Sequence, residues 1–371
     1  MSSANMELSH KKILLVTNSF PEKAPGGREL LSKLIYSVLY KIFSTNLEIF
    51  FLTKPSTSKE KKLLGFFCGH MDGLNKESLE LLMHKIEQTN VDIVFTDGSN
   101  LGAFVKIARK KFPNVRFVTF FHNVEFNFFL SLFIKSKNPK SLFLAILIFF
   151  AERKAVMFSN TTIALNERDS AALLSFYGDE AHAIFPMALE DQYSNVIPFA
   201  RNNDQEEYIL FVGGLFYANE YGIRWFIKNV VPEIKIKLLI VGRGFERLRG
   251  ELEVQNKVQV IGATENLEKY YINAKFIIAP IFDGSGMKTK IAEAMMYGKK
   301  VIGTTEAFVG YEDHLPEAGW LCNSKVEFVQ SIMSSNEGLD NQGLNNNLRK
   351  IFQANYSLES AEIKMRNILS N

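Results

Sequence analysis

Within the eight residues from Asp283 to Lys290 (DGSGMKTK) the chain gathers a carboxylate, two glycines and two lysines. Glycine lets backbone N–H groups come close to a ligand, and lysine adds positive charge, so the pattern suits an anion. Such a turn also serves ordinary loop chemistry, and alone it does not decide between the two. The flanking residues say how it is held. Residues 277–281 are a short apolar run of strand type, residues 287–297 have helical spacing, Gly298 is placed to stop that helix, and residues 300–304 read as a second strand. Strand, glycine turn, helix, strand is a βαβ unit whose turn aims amides and the positive end of a helix dipole at one point. At 100° per residue Gly286, Lys290, Glu293 and Tyr297 share a face on which a ligand is expected, while Met287, Ile291, Ala294 and Met295 form an apolar face for the core.

Other strand ends carry similar chemistry. Residues 11–17 (KKILLVT) form an unbroken apolar run, as in a buried parallel strand, and lead through a loop to Gly26-Gly27 at the start of a helical pattern. Residues 91–96 end in Asp97-Gly98-Ser99-Asn100, and residues 116–121 end in His122-Asn123-Val124-Glu125. Doubly wound sheets keep their ligands at such ends, which singles out His122 among the histidines. After a stretch without periodicity at 186–206, where a linker is expected, residues 208–212 lead to Gly213-Gly214. Residues 236–241 lead to Gly242-Arg243-Gly244. Arg247 stands where a dinucleotide fingerprint needs its third glycine, so the pattern argues against NAD. Asn166, opening a helix after residues 161–165, reads as an N-cap.

Composition narrows the classes. At 371 residues two domains are expected. A net charge of +3 with dispersed basic residues and 47% hydrophobic content argues against a nucleic-acid arm or a disordered tail. Cys68 and Cys322 lie too far apart for metal or redox spacing, and no Asp-x-Asp occurs, so no metal clamp is expected. The first residues, MSSANMELSHKK, lack an apolar signal core, which points to the cytoplasm. Residues 126–150 (FNFFLSLFIKSKNPKSLFLAILIFF) hold two apolar blocks split by Lys135, Lys137 and Lys140. Neither block reaches the roughly 18 residues that a bilayer crossing needs. Two readings stay open: helices packed on the sheet, or a hairpin resting on the anionic inner face of a membrane.

The run GSGMKTKIAEAMMYGKKVIGTTEAFVGYE resembles the donor-binding segment of retaining glycosyltransferases of family 4, with matches at Lys290, Glu293, Ala294, Met295, Gly298, Lys299, Val301 and Gly310. The HNVE run at His122 resembles the same family's His-Asn-x-Glu motif. The resemblance implies a GT-B fold, two doubly wound α/β Rossmann-like domains facing a cleft. Residues 1–190 would be the acceptor side, residues 205–356 the donor side, and a terminal helix at 358–371 would pack back on the first domain. It further implies that Glu293 holds the ribose of a nucleotide sugar, that the amides after Gly286 approach its diphosphate, and that Asp283, Gly284, Ser285, Gly286, Met287 and Lys288 belong to the donor site. Gly26, Gly27, Gly213 and Gly214 would lie beside the donor, and His122 against the transferred sugar.

Two departures qualify this. Family members place basic residues just after the strand that here ends at Val212, whereas no basic residue lies between Gly213 and Glu220. Tyr217-Ala218-Asn219 resembles a subgroup with Tyr-x-Pro-Asn, and Arg243, Lys288 or Lys290 is left to hold the diphosphate. Ser285 stands where many relatives have a glutamate for the sugar, with Asp283 as a substitute. The expected activity is metal-independent, retaining transfer of a sugar from a nucleoside diphosphate to a hydroxyl of a saccharide or lipid-linked acceptor, with no cofactor. His122, Lys290 and Glu293 would be its central residues. Rival classes are a sugar-nucleotide epimerase or hydrolase, and a non-catalytic sugar- or nucleotide-binding protein.

Overall fold

The computed structural model describes residues 8, 10–18, 27–53, 71–193, 207–338 and 345–370, with side chains of 335–338 excepted. Gly26, Cys68 and most of the expected linker (194–206) lie outside the described residues. The chain divides into two compact units, residues 1–187 with 361–371, and residues 188–360.

The first unit is a six-stranded, all-parallel sheet: β1 (Ile13–Thr17), β2 (Leu47–Phe51), β3 (Ile93–Asp97), β4 (Arg116–Phe121), β5 (Thr161–Ala164) and β6 (Ala183–Ile184), in the order β2-β1-β3-β4-β5-β6. Every residue of β1 and β3 is buried, which is why these strands read as unbroken apolar runs. Its helices are α1 (Gly27–Phe43), α2 (Lys76–Thr89), α3 (Gly102–Lys111), α4 (Glu125–Ser136), α5 (Pro139–Phe158) and α6 (Glu167–Tyr177). Helix α2 starts three residues before the apolar pattern at Leu79, because Asn75 and Ser78 form a reciprocal capping box that stabilises the extra turn. Asn166 caps α6, accepting from the Asp169 amide at 3.0 Å. Between α4 and α5 the chain reverses at Lys137, in the left-handed region at φ 54°, and Asn138 caps α5 ahead of Pro139.

In the second unit β7 (Tyr208–Val212), β8 (Lys237–Val241), β9 (Val258–Gly262), β10 (Ile277–Ala279), β11 (Val301–Gly303) and β12 (Gly319–Leu321) form a parallel sheet ordered β12-β11-β10-β7-β8-β9. Strand order reverses between β7 and β10, so the loops leaving those strands flank the switch point where doubly wound sheets bind ligands. In the first unit the same reversal falls between β1 and β3. The helices that matter for the site are α7 (Tyr217–Asn229), α8 (Glu268–Asn273), α9 (Thr289–Met296) and α10 (Asn346–Asn355). Gly222 in α7 has no room for a side chain: a Cβ there would lie 1.8 Å from the Pro280 carbonyl oxygen. The missing side chain lets α7 lie directly on the exit of β10.

A last helix, α11 (Leu358–Ser370), contributes residues 361–370 to the first unit. Arg116 at the start of β4 donates to the carbonyls of Ile368 and Leu369, both at about 2.9 Å or shorter. A cation on the last carbonyls of a helix satisfies them and opposes the negative end of its dipole.

Candidate functional site

In the second unit, the chain leaving β7 runs beside the chain leaving β8. Gly213 N–H donates to Val241 O at 3.0 Å and Leu215 N–H to Arg243 O at 2.8 Å. A Cβ on Gly242 would sit 1.8 Å from Gly213 O, so this approach requires glycine. Beneath the turn, Asn219 donates to Gly214 O at 2.8 Å and accepts from Lys290 Nζ at 3.0 Å. The Lys290 ammonium also lies 4.2 Å from the centre of the Phe211 ring. It reaches the backbone of the turn itself, since a Cβ on Gly213 would be 3.2 Å from Nζ. Lys290 is only 7% exposed. Burial pushes its pKa down to about 7, a shift that neighbouring Lys288 adds to and Glu293 opposes.

The second loop leaves β10. The Asp283 carboxylate accepts from the Gly284 amide at 2.8 Å, Ser285 is exposed, and Gly284 and Gly286 hold positive φ values of 134° and 69°. Lys288 donates to Gly286 O at 2.7 Å and pairs with Glu306 at 2.9 Å, bracing the loop. The Thr304 hydroxyl, donating to Ile281 O, ties the loop's root to the end of β11. The helix begins at Thr289 rather than Met287. Met287 is buried against Gly310, where a Cβ would meet its Cγ at 2.6 Å, and it can offer a ligand only its backbone.

At Tyr297 the ligand-facing side expected for this helix is closed over. Tyr297 is 2% exposed, its ring stacked on Tyr271 of α8 at 4.8 Å and 18° between planes, and α10 packs along the helix as well. A second helical layer, invisible to the periodicity of one segment, accounts for the difference. Glu293 is half-buried and accepts from the Tyr271 hydroxyl at 2.6 Å. Burial raises its pKa, against the pull of Tyr271 and Lys290. Arg243 is exposed at the rim of the β8 loop.

His122 belongs to the first unit, at the end of β4. Its Nε2 lies 2.6 Å from Asp97 Oδ1 at the end of β3, and Asp97 Oδ2 accepts from the Thr17 hydroxyl at the end of β1 at 2.7 Å. Three strand ends around the switch point are thereby joined through one carboxylate. Gly27 opens α1 with no other atom within 4 Å of a Cβ position, and the next residue, Arg28, pairs with Asp72 at 2.8 Å. Asn100 donates to the same Asp72 oxygen at 3.1 Å.

Sequence reasoning passed over Asp97, Tyr271, Glu306, Arg28 and the bonding role of Asn219. Asp97 carried a signal, being an acid at the end of a buried strand, and Asn219 lay in the Tyr217-Ala218-Asn219 run. Nothing local marks Tyr271 or Glu306, because both act across distant loops.

Buried Glu152 in α5 has the perturbed carboxyl often found at active sites, yet its partners are structural. It accepts from Ser99 Oγ (2.8 Å), Tyr177 Oη (2.7 Å) and the amides of Glu125 (2.9 Å) and Phe126 (3.2 Å), capping α4 from outside. Burial outweighs these donors and pushes its pKa up to about 7. Glu152→Gln sets an amide NH₂ against one of the backbone N–H groups and is expected to lose about 1–3 kcal/mol in urea unfolding at pH 5. Because the folded pKa exceeds the unfolded value, the carboxyl's own contribution is full below pH 4.5 and fades as pH rises through 7. The gap between wild type and variant should therefore narrow by pH 8.

With this geometry in place, comparison with known proteins is informative. Residues 206–335 match the family model described as glycosyl transferases group 1. The matched residues lie within the second unit. Solved structures similar over nearly the whole chain include sucrose-phosphate synthase from Thermosynechococcus elongatus (TM-score 0.70, 16% identity, 97% of this chain and 98% of that one). Anabaena HepE, solved in complex with UDP and glucose, gives TM-score 0.64 at 15% identity over 98% and 100%. WaaG, a glycosyltransferase of lipopolysaccharide biosynthesis, gives 0.61 at 15% over 96% and 99%. The chain has the GT-B fold, with two Rossmann-like parallel sheets. Among curated proteins, an uncharacterized 44.6 kDa protein in the cps region of Klebsiella pneumoniae is 27% identical over 145 residues, 35% of this chain and 37% of that protein. The match thus spans little more than a third of that relative. The group 1 match and the GT-B fold together support sugar transfer.

Proposed function

We propose that this protein transfers a glycosyl group, with retention and without a divalent metal, from a nucleoside diphosphate sugar to a hydroxyl of a saccharide or lipid-linked saccharide. The observation that carries the reading is that glycine loops leave both strands flanking the β7/β10 switch point, with the buried Lys290 amine directly beneath one of them. Transfer leaves negative charge on the departing diphosphate. Preorganised amides and a cation in a dry site stabilise that charge without having to reorganise. In this reading Gly213, Gly214 and residues 283–287 face the diphosphate, Lys290 supplies the charge, Glu293 holds the ribose, and His122 meets the transferred sugar. HepE, solved with UDP and glucose, supports a nucleoside diphosphate as donor, and the relative in a cps region supports a role in polysaccharide assembly.

A thermal-shift screen against nucleoside diphosphates and their sugars tests the donor class, since a ligand of the native state raises its midpoint. The donor that binds is then incubated with and without saccharide acceptors. Product only with acceptor is expected; turnover of donor alone means an epimerase or hydrolase, and binding with no turnover means a binding protein. His122→Ala should lower kcat about tenfold, the loss of one hydrogen bond, while leaving donor affinity within a factor of two or so. Equal losses in both would make His122 a binding residue.

Helices α4 and α5 supply the membrane part of the proposal. No described helix is long and apolar enough to cross a bilayer. The inner face of α5 packs, with Ala145, Ile148 and Ala151 buried, but Leu132 and Ile134 (56% exposed) of α4 and Phe143, Ile146 and Phe150 (51% exposed) of α5 face outward. No Asp or Glu occurs from 126 to 151, while Lys135, Lys137 and Lys140 crowd the turn. Apolar area flanked by cations fits an anionic lipid surface. Co-sedimentation with phosphatidylglycerol-containing vesicles should fall about tenfold or more in Ile134→Glu/Ile146→Glu/Phe150→Glu, and undiminished binding removes this contact.

A further inference from the structure

We propose that Asp97 is a positioning residue that fixes the tautomer of His122, so that the imidazole presents Nδ1 to its ligand as a hydrogen-bond acceptor and meets a ligand hydroxyl there. An ionised carboxylate can only accept, so the 2.6 Å contact places a proton on Nε2, and in the neutral ring Nδ1 then keeps its lone pair. Asp97 is fully enclosed and held by two partners at once, His122 and the Thr17 hydroxyl. The His122 ring and the Thr17 hydroxyl both donate to it, the role of an acceptor. The ring is fixed as well, with the Phe120 ring 5.1 Å away on one side.

Nδ1 of His122 is buried and has no hydrogen-bond partner among the described residues. Two more orphans sit in neighbouring positions, Asn100 Oδ1 and Asn123 Oδ1, on residues that follow Asp97 and His122 in the chain. Both amides have already committed their NH₂ groups, Asn100 to Asp72 at 3.1 Å and Asn123 to Glu125 at 3.3 Å. What the strand ends leave open includes three acceptors, beside a second N–H on each amide and the Ser32 hydroxyl. Buried polar groups are rarely left unsatisfied, and a ligand is one reason for the exception. A phosphate or carboxylate oxygen has nothing to give to such atoms, whereas a hydroxyl does. The ligand chemistry that fits is a neutral polyol, and its identity as a sugar rests on the transfer reading above; the tautomer does not.

Nitrogen-15 NMR of the histidine rings tests this without any turnover assay, the His122 signal being assigned by its loss in His122→Gln. The neutral tautomer with its proton on Nε2 is the expected state. An imidazolium, or a proton on Nδ1, overturns the proposal. In Asp97→Asn the amide NH₂ can donate to Nε2, and the proton is expected to move to Nδ1, with kcat/KM falling about tenfold or more. Thr17→Val, which leaves Asp97 in place, should keep the native tautomer and serves if Asp97→Asn does not fold. Rates unchanged in an Asp97→Asn protein whose tautomer has switched would overturn the positioning role, whereas absence of turnover in the wild type would remove only the sugar-transfer reading.

Discussion

Lys290→Met is expected to lower kcat by about 10²–10³ while leaving the protein at least as stable as the wild type near pH 6. Removing one preorganised electrostatic partner of a developing charge typically has an effect of that size, about 2.7–4 kcal/mol. Stability should move the other way because an ammonium with a folded pKa of about 7 resists burial. Its folded pKa is depressed below 10.5, so the folded state binds fewer protons between pH 7 and 10.5, and Lys290 makes folding progressively less favourable as pH falls through that window. Methionine has similar length and no charge to desolvate. Asn219 loses one partner but keeps its bond to Gly214 O at 2.8 Å. A variant that unfolds early and loses activity in proportion would mean that the lysine is structural.

Glu293→Ala is expected to weaken binding of the donor nucleotide by about 10- to 100-fold, the usual size of losing hydrogen bonds to a charged group, about 1.5–3 kcal/mol. The change also strands the Tyr271 hydroxyl, which is buried and whose acceptor is Glu293 at 2.6 Å. Tyr271→Phe separates the two roles. It removes the hydroxyl, keeps the carboxylate, and should reduce stability by about 1 kcal/mol with nucleotide affinity nearly unchanged. Should calorimetry show Tyr271→Phe weakening the nucleotide as much as Glu293→Ala, the carboxylate acts through the fold and not through the ribose.

Much of the architecture could be read from residue order because parallel strands buried on both faces have a distinctive signature. KKILLVT, VDIVFT and YILFV are apolar without alternation, and glycines or polar residues stand at their ends. The glycine turn at 283–286 was legible for the same reason, since backbone chemistry depends on local sequence. Side-chain partnerships were not. Helical spacing placed Lys290, Glu293 and Tyr297 on one face but could not show that Tyr271 and α10 close over it, because those contacts come from distant segments. The exposed row on α4 and α5 was equally hidden. Both core packing and surface exposure use Phe, Leu and Ile, and only the fold separates buried Ile148 from outward Ile146. Asp97 shows the middle case. Its place after a buried strand was visible, while its bond to His122 needed β3 and β4 side by side.

The most direct measurement is calorimetric titration of the protein at pH 8 with a panel of nucleoside diphosphates, each in two buffers of different ionisation enthalpy. An anion placed against Lys290 raises a pKa that burial has pushed down to about 7, so binding should draw in a proton. The expected result is at least one diphosphate that binds with proton uptake in the wild type and without it in Lys290→Met. A panel in which none binds, or binding that leaves the protonation of both proteins equally untouched, contradicts the site.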